Sequence, residues 1–297
     1  MIGLGRMGAN MTKRLLTHGH QVVAFDRDPE AVKASQADGA EGAGSIADLC
    51  SGLAPPRAVW VMVPAGDPTT QTVSALAEQL EAGDVIIDGG NSNYHHAQQM
   101  TERLRPKGID FIDAGTSGGI WGLANGYCLM VGGTTDAVAK VEPVFVALAP
   151  EGGYAHVGPS GAGHFVKMVH NGIEYGMLQA YAEGFALLDA AKEFDLDLHE
   201  VASIWRYGSV VRSWLLDLAE RALADRTAFE RIEGWVDDSG EGRWTVEEAI
   251  DRAVPAPVIT ASLFERFSSR RQGEFAARMI AALRNEFGGH AVHSDPS

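Results

Sequence analysis

The sequence predicts an α/β protein, with a doubly wound, mostly parallel sheet followed by an all-helical C-terminal domain. Short β-rich runs alternate with helical patterns up to about residue 157, and a glycine-rich turn opens the first helical pattern. Long helical patterns without strands follow residue 161. Such alternation is typical of a parallel sheet covered by helices on both faces. We therefore expect two domains, at residues 1–160 and 161–297.

The predicted strands of the first domain are short and rich in Val, Ile and Phe. They lie at residues 21–25, 58–63, 84–88, 109–113 and 127–131. Only Met1 and Ile2 precede the first glycine, whereas a strand is usually about five residues long. The first strand is therefore either clipped or begins upstream of Met1. The predicted helices of the second domain cover residues 162–193, 198–224, 246–252 and 258–286.

Composition excludes several classes of protein. The 297 residues are 45% hydrophobic, enough for two domains with cores of their own. A net charge of -15 argues against a nucleic-acid partner, and no apolar run is long enough to cross a bilayer. Cys50 and Cys128 match neither a disulfide framework nor a zinc site, and we expect both to be buried. We predict a cytoplasmic protein with no metal and no membrane partner.

A G-x-G-x-x-G run at residues 3–8 enters a helical pattern, and Asp26 closes the next predicted strand. Such glycines let the backbone approach a pyrophosphate at a helix N-terminus. An acidic side chain about 20 residues later binds the adenosine ribose hydroxyls. A plain glycine turn with a surface aspartate is the alternative. The motif predicts a Rossmann nicotinamide-dinucleotide site formed by Gly3, Leu4, Gly5, Arg6, Met7, Gly8 and Asp26.

Asp26 also predicts which nicotinamide cofactor is preferred. At about 4 Å from a 2′-phosphate, its carboxylate would cost roughly 4 kcal/mol at an effective dielectric constant near 20. NAD should therefore be favoured over NADP. Arg27 offsets part of this repulsion, so we expect weaker use of NADP rather than its exclusion.

Three glycine-containing loops follow predicted strands, at residues 63–66, 88–92 and 115–119. In a doubly wound sheet, ligands bind outside the carboxyl ends of the strands. Each loop by itself is consistent with an ordinary turn, but three at one edge predict a binding site. Asn91 and Ser117 offer neutral donors and acceptors there. These loops add to the cofactor-binding prediction Val63, Pro64, Ala65 and Asn91.

Five reactive side chains fall on one stripe of the helix predicted after residue 161. They stand at offsets 0, 3, 4, 7 and 8 and are Lys167, His170, Asn171, Glu174 and Tyr175. Lys167 and Glu174 are two turns apart, roughly 10 Å along the axis, which is too far for a direct ion pair. The gap would fit a small substrate between a base and an acid. A solvated helix face is the alternative.

These motifs together resemble the decarboxylating 6-phosphogluconate dehydrogenase family, and the chain length resembles its short-chain branch. The similar segments run through nearly the whole chain, at residues 3–8, 88–92, 116–119, 167–175, 204–206, 243–245 and 284–290. The Asp-Gly-Gly-Asn loop together with His-Asn-Gly-Ile-Glu-Tyr is specific to that family. The resemblance implies oxidation of the C3 hydroxyl of 6-phosphogluconate by NAD, loss of CO2, and protonation of the enediol to ribulose 5-phosphate.

The resemblance also implies residue roles. Lys167 matches the general base and Glu174 the general acid. Arg266 matches the arginine that binds the phosphate, and Arg284 and His290 match a tail that enters the neighbouring subunit's site, which implies a homo-oligomer, either a dimer or a tetramer. The positions that match substrate contacts are Asn91, Ser117, Gly118, Gly119, His170, Asn171 and Tyr175.

Other interpretations stay open at this point. Arg266 could belong to a basic helix face, and His290 to a tail without a role. The chain departs from the long-chain members at Ser239 and Glu241, which stand where those enzymes have a lysine and a threonine; Arg243 could replace that lysine.

Two other functions compete with the one implied by the resemblance. One is a β-hydroxyacid dehydrogenase that acts on a small hydroxy acid without decarboxylation, and the other is a non-catalytic NAD-binding regulatory protein. The loop at residues 88–91 argues against the first, and the pair Lys167 and Glu174 argues against the second.

Overall fold

The computed structural model describes residues 1–237, 239–271 and 275–288. The chain divides into two compact units, Met1–Asn171 and Gly172–Ser297. The division falls inside one long helix, Ala162–Ala190, so this helix begins in the first unit and continues into the second. The domain boundary between residues 160 and 161 stays a prediction.

The first unit alternates strands and helices along the chain. Its strands are β1 Val23–Ala24, β2 Glu41–Gly42, β3 Ala58–Val61, β4 Val85–Asp88, β5 Asp110–Ser117, β6 Cys128–Gly132 and β7 Tyr154–Gly158. Its helices are α1 Arg6–Thr17, α2 Pro29–Ala37, α3 Ile46–Ser51, α4 Asp67–Leu76, α5 Tyr94–Leu104, α6 Gly122–Asn125, α7 Thr135–Leu148 and the start of α8 Ala162–Ala190, with short 3-10 turns at Arg105–Lys107 and Gly119–Trp121.

The strands form a largely parallel arrangement. β1 pairs with β2 in parallel, and the larger sheet has the order β3-β4-β5-β6-β7. Within it β5 and β6 are antiparallel, while the other neighbouring pairs are parallel. Only residues 118–127 connect β5 to β6, and this is too short for a helical crossover between parallel strands. The alternation of strands and helices confirms the predicted fold class for this unit.

The first residues of the chain act as a strand between β1 and β3. Ile2 forms parallel bridges with both Phe25 and Val61. Its backbone N–H donates to the carbonyl of Trp60 at 2.8 Å, and its own carbonyl accepts from the backbone N–H of Met62 at 2.7 Å. This short segment is therefore paired on both sides, as a first strand would be.

The core of the first unit lies on both faces of the sheet. Consecutive strand residues belong to different clusters: Ile86 packs with Val73 and Met100, whereas Ile87 packs with Met11 and Phe145. Side chains of a strand alternate between faces. Because both faces are covered, the strands carry uninterrupted apolar runs rather than alternating ones, which is why the sequence predicted most of them.

Some expectations for this unit were wrong. β7 is an edge strand whose residues are largely exposed, so it lacks the apolar pattern that predicts a strand. Residues 115–117 belong to β5 and not to a loop, which begins at Gly118. Cys50 is buried as expected, but Cys128 is exposed.

The second unit is helical throughout the part that the structure describes. After α8 come α9 Leu198–Trp205, α10 Trp214–Leu223, α11 Arg226–Glu230, α12 Glu241–Asp251, α13 Pro257–Ser268 and α14 Phe275–Gly288, with a 3-10 turn at Lys192–Phe194. The pattern at residues 198–224 predicted one helix, but two form, and the second, α10, is capped by Ser213, which accepts from the backbone N–H of Leu216. None of the described helices is both long and apolar enough to traverse a bilayer.

Candidate functional site

Two glycines at the turn between the first strand segment and α1 leave no room for a side chain. Gly3 has a φ of 91°, and a Cβ atom there would lie 2.4 Å from the carbonyl oxygen of Met62. A Cβ atom at Gly8 would lie 1.9 Å from the carbonyl oxygen of Gly3. The glycines therefore bring the turn against the end of β3. The first strand has the strand of Phe25 on one side and β3 on the other, so the connections leave it in opposite directions here. This is the topological switch point at which doubly wound sheets bind ligands.

The N-terminus of α1 suits an anion. Gly5 is the N-cap, and among the described residues no side chain caps this end and no acidic residue lies in its first turn. Its backbone N–H groups and the positive end of the helix dipole remain for a phosphate. Arg6 is exposed beside them and Met7 is half-buried.

Asp26 lies at the end of the strand that precedes α2. One carboxylate oxygen accepts from the backbone N–H of Leu4 at 2.5 Å, and the other accepts from that of Asp28 at 2.8 Å. A carboxylate offers about four acceptor positions, so two remain for ribose hydroxyls. The turn and Asp26 together fit a dinucleotide.

The loops after β3 and β4 meet at the same edge. A Cβ atom at Gly90 would lie 2.7 Å from the carbonyl oxygen of Val63, and the carbonyl of Pro64 accepts from the Thr69 hydroxyl at 2.9 Å. Of the predicted cofactor contacts in this loop, Pro64 and Ala65 follow Val63 directly. The structure thus brings Val63 against the loop of Asn91.

Asn91 is fixed in an uncommon conformation at the end of β5. Its φ of 53° lies in the left-handed region that few residues other than glycine adopt. Its amide oxygen accepts from the backbone N–H of Thr116 at 3.2 Å, and its amide nitrogen donates to the Thr116 carbonyl at 3.5 Å. Asn91 therefore lies beside Ser117, the predicted substrate contact, and Gly118 and Gly119 follow with φ angles of 129° and 53°.

Helix α8 begins in backbone contact with the sheet. A Cβ atom at Gly163 would lie 2.3 Å from the carbonyl oxygen of Asp113, and one at Gly115 would lie 2.5 Å from Cβ of Lys167. The buried carboxylate of Asp113 accepts from the backbone N–H groups of Gly161 at 2.6 Å and of His164 at 2.9 Å. It therefore caps the helix, where a negative charge is favourable. These contacts hold Lys167 against β5, two residues before Ser117.

Lys167 is almost completely buried, with 5% of its surface exposed. Its ammonium nitrogen donates to the amide oxygen of Asn171 at 2.5 Å and lies 3.4 Å from Nδ1 of His170. The interpretation as a solvated helix face is excluded for this residue. Three of the five predicted side chains of the stripe form one cluster, and the other two, Glu174 and Tyr175, lie further along the same helix.

A second group was missed by the sequence analysis. Nε2 of His164 lies 3.2 Å from Oδ2 of Asp88, and both side chains are completely buried. Burial alone would raise the pKa of Asp88, but the hydrogen bond and charge of His164 outweigh it and lower that pKa. Burial alone would lower the pKa of His164, but Asp88, and Asp113 more weakly, raise it. The group is therefore a buried hydrogen-bonded pair in which each side chain favours the charged form of the other. The two residues are 76 positions apart, and no local pattern links them.

The predicted phosphate contacts in the second unit include a stacked pair. The guanidinium of Arg266 lies 3.4 Å from the centre of the Tyr175 ring and donates to the carbonyl of Asp237 at 2.9 Å. The Tyr175 hydroxyl is buried and has no hydrogen-bond partner among the residues that the structure describes. Arg266 therefore belongs to a specific contact rather than to a plain basic face.

Two further polar residues lie beside this pair. Glu241 is buried and accepts a hydrogen bond from the Ser239 hydroxyl. Arg243 lies 4.4 Å from the ring centre of Phe267. The backbone of Arg284 is in α14, but its side chain and the whole of His290 lie outside the described residues. Within the described ranges no group of three or more His, Cys, Asp or Glu is arranged to hold a metal ion.

The fold and this edge define a nicotinamide-dependent dehydrogenase, with a dinucleotide turn, hydrogen-bonding loops and a buried lysine. Residues 1–158 match the model of the NAD binding domain of 6-phosphogluconate dehydrogenase, and residues 163–284 match that of its C-terminal domain. The chain belongs to the 6-phosphogluconate dehydrogenase family. Its first unit is therefore an NAD-binding domain.

Similar proteins cover nearly the whole chain. The NAD(+)-dependent, decarboxylating 6-phosphogluconate dehydrogenase of Haloferax volcanii is 46% identical over 295 residues, which are 98% of this chain and 97% of that protein. The enzyme of the same name from Bacillus subtilis is 35% identical over 95% of this chain and 64% of its own length. The 6-phosphogluconate dehydrogenase structure from Plasmodium falciparum has a TM-score of 0.83 and 27% identity, covering 99% of this chain and 66% of that one.

Proposed function

We propose that the protein catalyses the oxidative decarboxylation of 6-phosphogluconate to ribulose 5-phosphate and CO2, with reduction of NAD to NADH. Family membership over residues 1–158 and 163–284 supports this reaction, as does the name of the relative from Haloferax volcanii. The single observation that carries it is the buried amine of Lys167, hydrogen-bonded to Asn171 beside the end of β5.

In the oxidation step, Lys167 accepts the proton of the C3 hydroxyl. NAD supplies the chemistry of hydride acceptance from the same carbon. A neutral amine is required as the acceptor, and burial of a lysine favours the neutral form because the charged form is poorly solvated. Asn171 accepts a hydrogen bond from the amine and so holds it in one orientation during the transfer.

In the second step, the protonated Lys167 stabilises negative charge on the 3-keto oxygen while the bond to the carboxylate breaks and CO2 leaves. A donor already in place where charge develops lowers the barrier without reorganisation of solvent. The proton of Lys167 passes to that 3-keto oxygen, which gives the enediol; Glu174 then delivers a proton to C1 while Lys167 takes back the proton of the enediol hydroxyl. We assign the remaining hydroxyl contacts to Asn91, Ser117, Gly118, Gly119, His170 and Asn171.

The phosphate end of the substrate is assigned to Tyr175 and Arg266. A guanidinium remains charged and binds phosphate through two parallel hydrogen bonds. The Tyr175 hydroxyl, unpaired among the described residues, supplies a further donor. Arg284 and His290 complete this pocket from a neighbouring subunit in our proposal. NAD is preferred over NADP because the carboxylate of Asp26 would face a 2′-phosphate.

The experiment measures NADH, CO2 and ribulose 5-phosphate from 6-phosphogluconate and NAD. Lys167→Ala should abolish turnover and leave NAD binding intact, because the cofactor turn at residues 3–8 does not involve Lys167. Lys140→Ala is the matched control, since that lysine is exposed and paired with Asp110, and it should retain full activity. Substantial turnover by Lys167→Ala would contradict the assigned mechanism.

The same assay separates the other candidate functions. NADH formed from a hydroxy acid without release of CO2 would favour a β-hydroxyacid dehydrogenase. Binding of NAD with no turnover of any phosphorylated or free sugar acid would favour a regulatory role.

A homo-oligomer is part of this proposal. The second unit exposes large apolar side chains, among them Val210 at 99%, Tyr207 at 74% and Ile232 at 67%. Extensive apolar exposure is typical of surfaces that are covered in an assembly. We also propose a cytoplasmic location, which the two unpaired cysteines support.

A further inference from the structure

Three buried side chains near the carboxyl ends of β4 and β5 have no role in the proposed reaction. Asp88 closes β4, Asp113 lies in β5 and His164 lies in the first turn of α8. All three are within 1% of complete burial. Ionisable groups are seldom so buried unless they are paired, so their arrangement calls for an explanation.

Asp88 connects His164 to the loop of Asn91. Its Oδ2 lies 3.2 Å from Nε2 of His164, and its Oδ1 accepts from the backbone N–H of Gly90 at 2.9 Å. Gly90 directly precedes Asn91. Because each carboxylate oxygen holds a different element, a shift of the imidazole is transmitted to the loop.

The backbone of His164 is fixed from the other side. Its N–H donates to Oδ2 of Asp113 at 2.9 Å, and Oδ1 of Asp113 accepts from Gly161 at 2.6 Å. Lys167 follows His164 by three residues, which is less than one helical turn. The side chain of His164 therefore faces the loop of Asn91 while its backbone is part of the turn that positions Lys167.

Water cannot take the place of the His164 imidazole as the partner of the Asp88 carboxylate. Both side chains are fully buried, and a buried carboxylate that loses its partner is left without solvation. Without the imidazole, the remaining donors of Asp88 lie in the loop that follows it, the backbone N–H of Gly90 among them, so we expect the carboxylate and that loop to shift together. The strained φ of 53° at Asn91 persists only while its surroundings hold it.

We propose that His164 is a positioning residue: through Asp88 it sets where the Asn91 amide stands relative to the amine of Lys167. This proposal rests on the proposed function, in which Asn91 contacts substrate and Lys167 is the base. His164 itself touches neither the substrate nor the cofactor.

Two amide variants test the role of the imidazole Nε2. His164→Gln places an amide nitrogen near the position of Nε2 and keeps a donor for Asp88, whereas the shorter side chain of His164→Asn does not reach it. We expect His164→Asn to lower kcat on the order of 10²-fold, the effect of a displacement of about 1 Å at a reacting centre. His164→Gln should recover most of kcat.

His156→Gln is the control, because His156 is exposed and contacts the carbonyls of Gly133 and Gly158. We expect this variant to keep the wild-type kcat. A double variant measures the coupling between His164 and Asn91, which a purely structural role of His164 would not produce. If His164 acts through Asn91, then His164→Asn should cost much less in the Asn91→Ala background than in the wild type, because changes at coupled sites are not additive.

The outcomes distinguish this proposal from the proposed function. Absence of turnover by the wild type would contradict the proposed function, and the positioning role with it. If the wild type is active, then full kcat in His164→Asn, or additive losses in the double variant, would overturn the positioning role alone. Equal losses in His164→Asn and His164→Gln would also overturn it. Folding of each variant is verified by NAD binding and circular dichroism, and a loss of kcat that follows the folded fraction counts against the proposal.

Discussion

Asp26 is the residue at which the choice of cofactor should be decided. Asp26→Asn keeps an oxygen to accept from Leu4 but removes the charge that opposes a 2′-phosphate. We expect the ratio of kcat/KM for NAD to that for NADP to fall about tenfold, the equivalent of roughly 1.4 kcal/mol, because Asp26 is half-exposed and its repulsion is screened. Steady-state kinetics with both cofactors measure this ratio.

Arg27 supplies the opposing control. Its exposed guanidinium is the group that should favour a 2′-phosphate, so Arg27→Ala should raise the same ratio. A ratio that is unchanged in Asp26→Asn would refute the assignment of cofactor preference to this carboxylate.

At the residue scale, sequence spacing predicted which polar side chains share a stripe of α8 but not their burial. A lysine and a glutamate on a helix usually face water. The close contacts of Gly115 and Gly163 with α8 and β5 decide the matter for Lys167, and they join distant segments. The same limit hid His164 and Asp88, whose pairing depends on tertiary structure. The catalytic and binding roles themselves stay predictions.

At the element scale, strands buried on both faces were predictable because their apolar runs are continuous. β3, β4 and β6 are of this kind. β7 was not predictable, since an exposed edge strand has no apolar pattern. For the first strand, the sequence predicted that it is clipped or begins upstream, but not its pairing through Ile2. Tertiary hydrogen bonds define both.

The start of α8 allows a test of helix placement with two glycines of one helix. A Cβ atom at Gly163 would lie within 2.5 Å of two backbone carbonyl oxygens, those of Asp113 and Met130, whereas one at Gly184 would have no described residue from outside its own part of the helix within 4 Å. Gly163→Ala should therefore displace the first turn of α8, lowering both kcat and the thermal midpoint while NAD binding persists. Thermal unfolding and steady-state kinetics measure these effects.

Gly184→Ala is the matched substitution in the same helix. It should stabilise the protein by about 0.5–1 kcal/mol, because alanine loses less conformational freedom than glycine in a helix, and kcat should stay at the wild-type value. Equal behaviour of the two variants would show that the backbone approach at Gly163 does not fix the position of α8.

At the scale of the whole molecule, the net charge of -15 opposes the approach of the anionic substrate and cofactor that we propose. Salt screens charges beyond about 10 Å at 0.1 M ionic strength, so only nearby groups decide binding. The uncapped N-terminus of α1 and Arg266 supply local positive potential in the two units. The overall acidity is therefore compatible with anionic ligands.

The proposed oligomer makes a prediction about mixtures of inactive subunits. If Arg284 of one subunit completes the site that contains Lys167 of its neighbour, Lys167→Ala and Arg284→Ala should each be inactive alone. In a mixed symmetric pair, one site then combines an intact Lys167 with an intact Arg284, and the other lacks both. Random exchange should restore about a quarter of wild-type activity, since half of the pairs are mixed and one of their two sites works.

Co-expression of the two variants with different affinity tags, followed by purification through both tags, isolates the mixed pairs, and NADH formation from 6-phosphogluconate measures their activity. Mixing Lys167→Ala with His170→Ala is the control, because both residues lie in one cluster of the same subunit, so every site keeps a defect and no activity should return. Activity that stays absent in the Lys167→Ala and Arg284→Ala pairs would place Arg284 in its own subunit's site. Light scattering on the same sample would then show whether the chain associates at all.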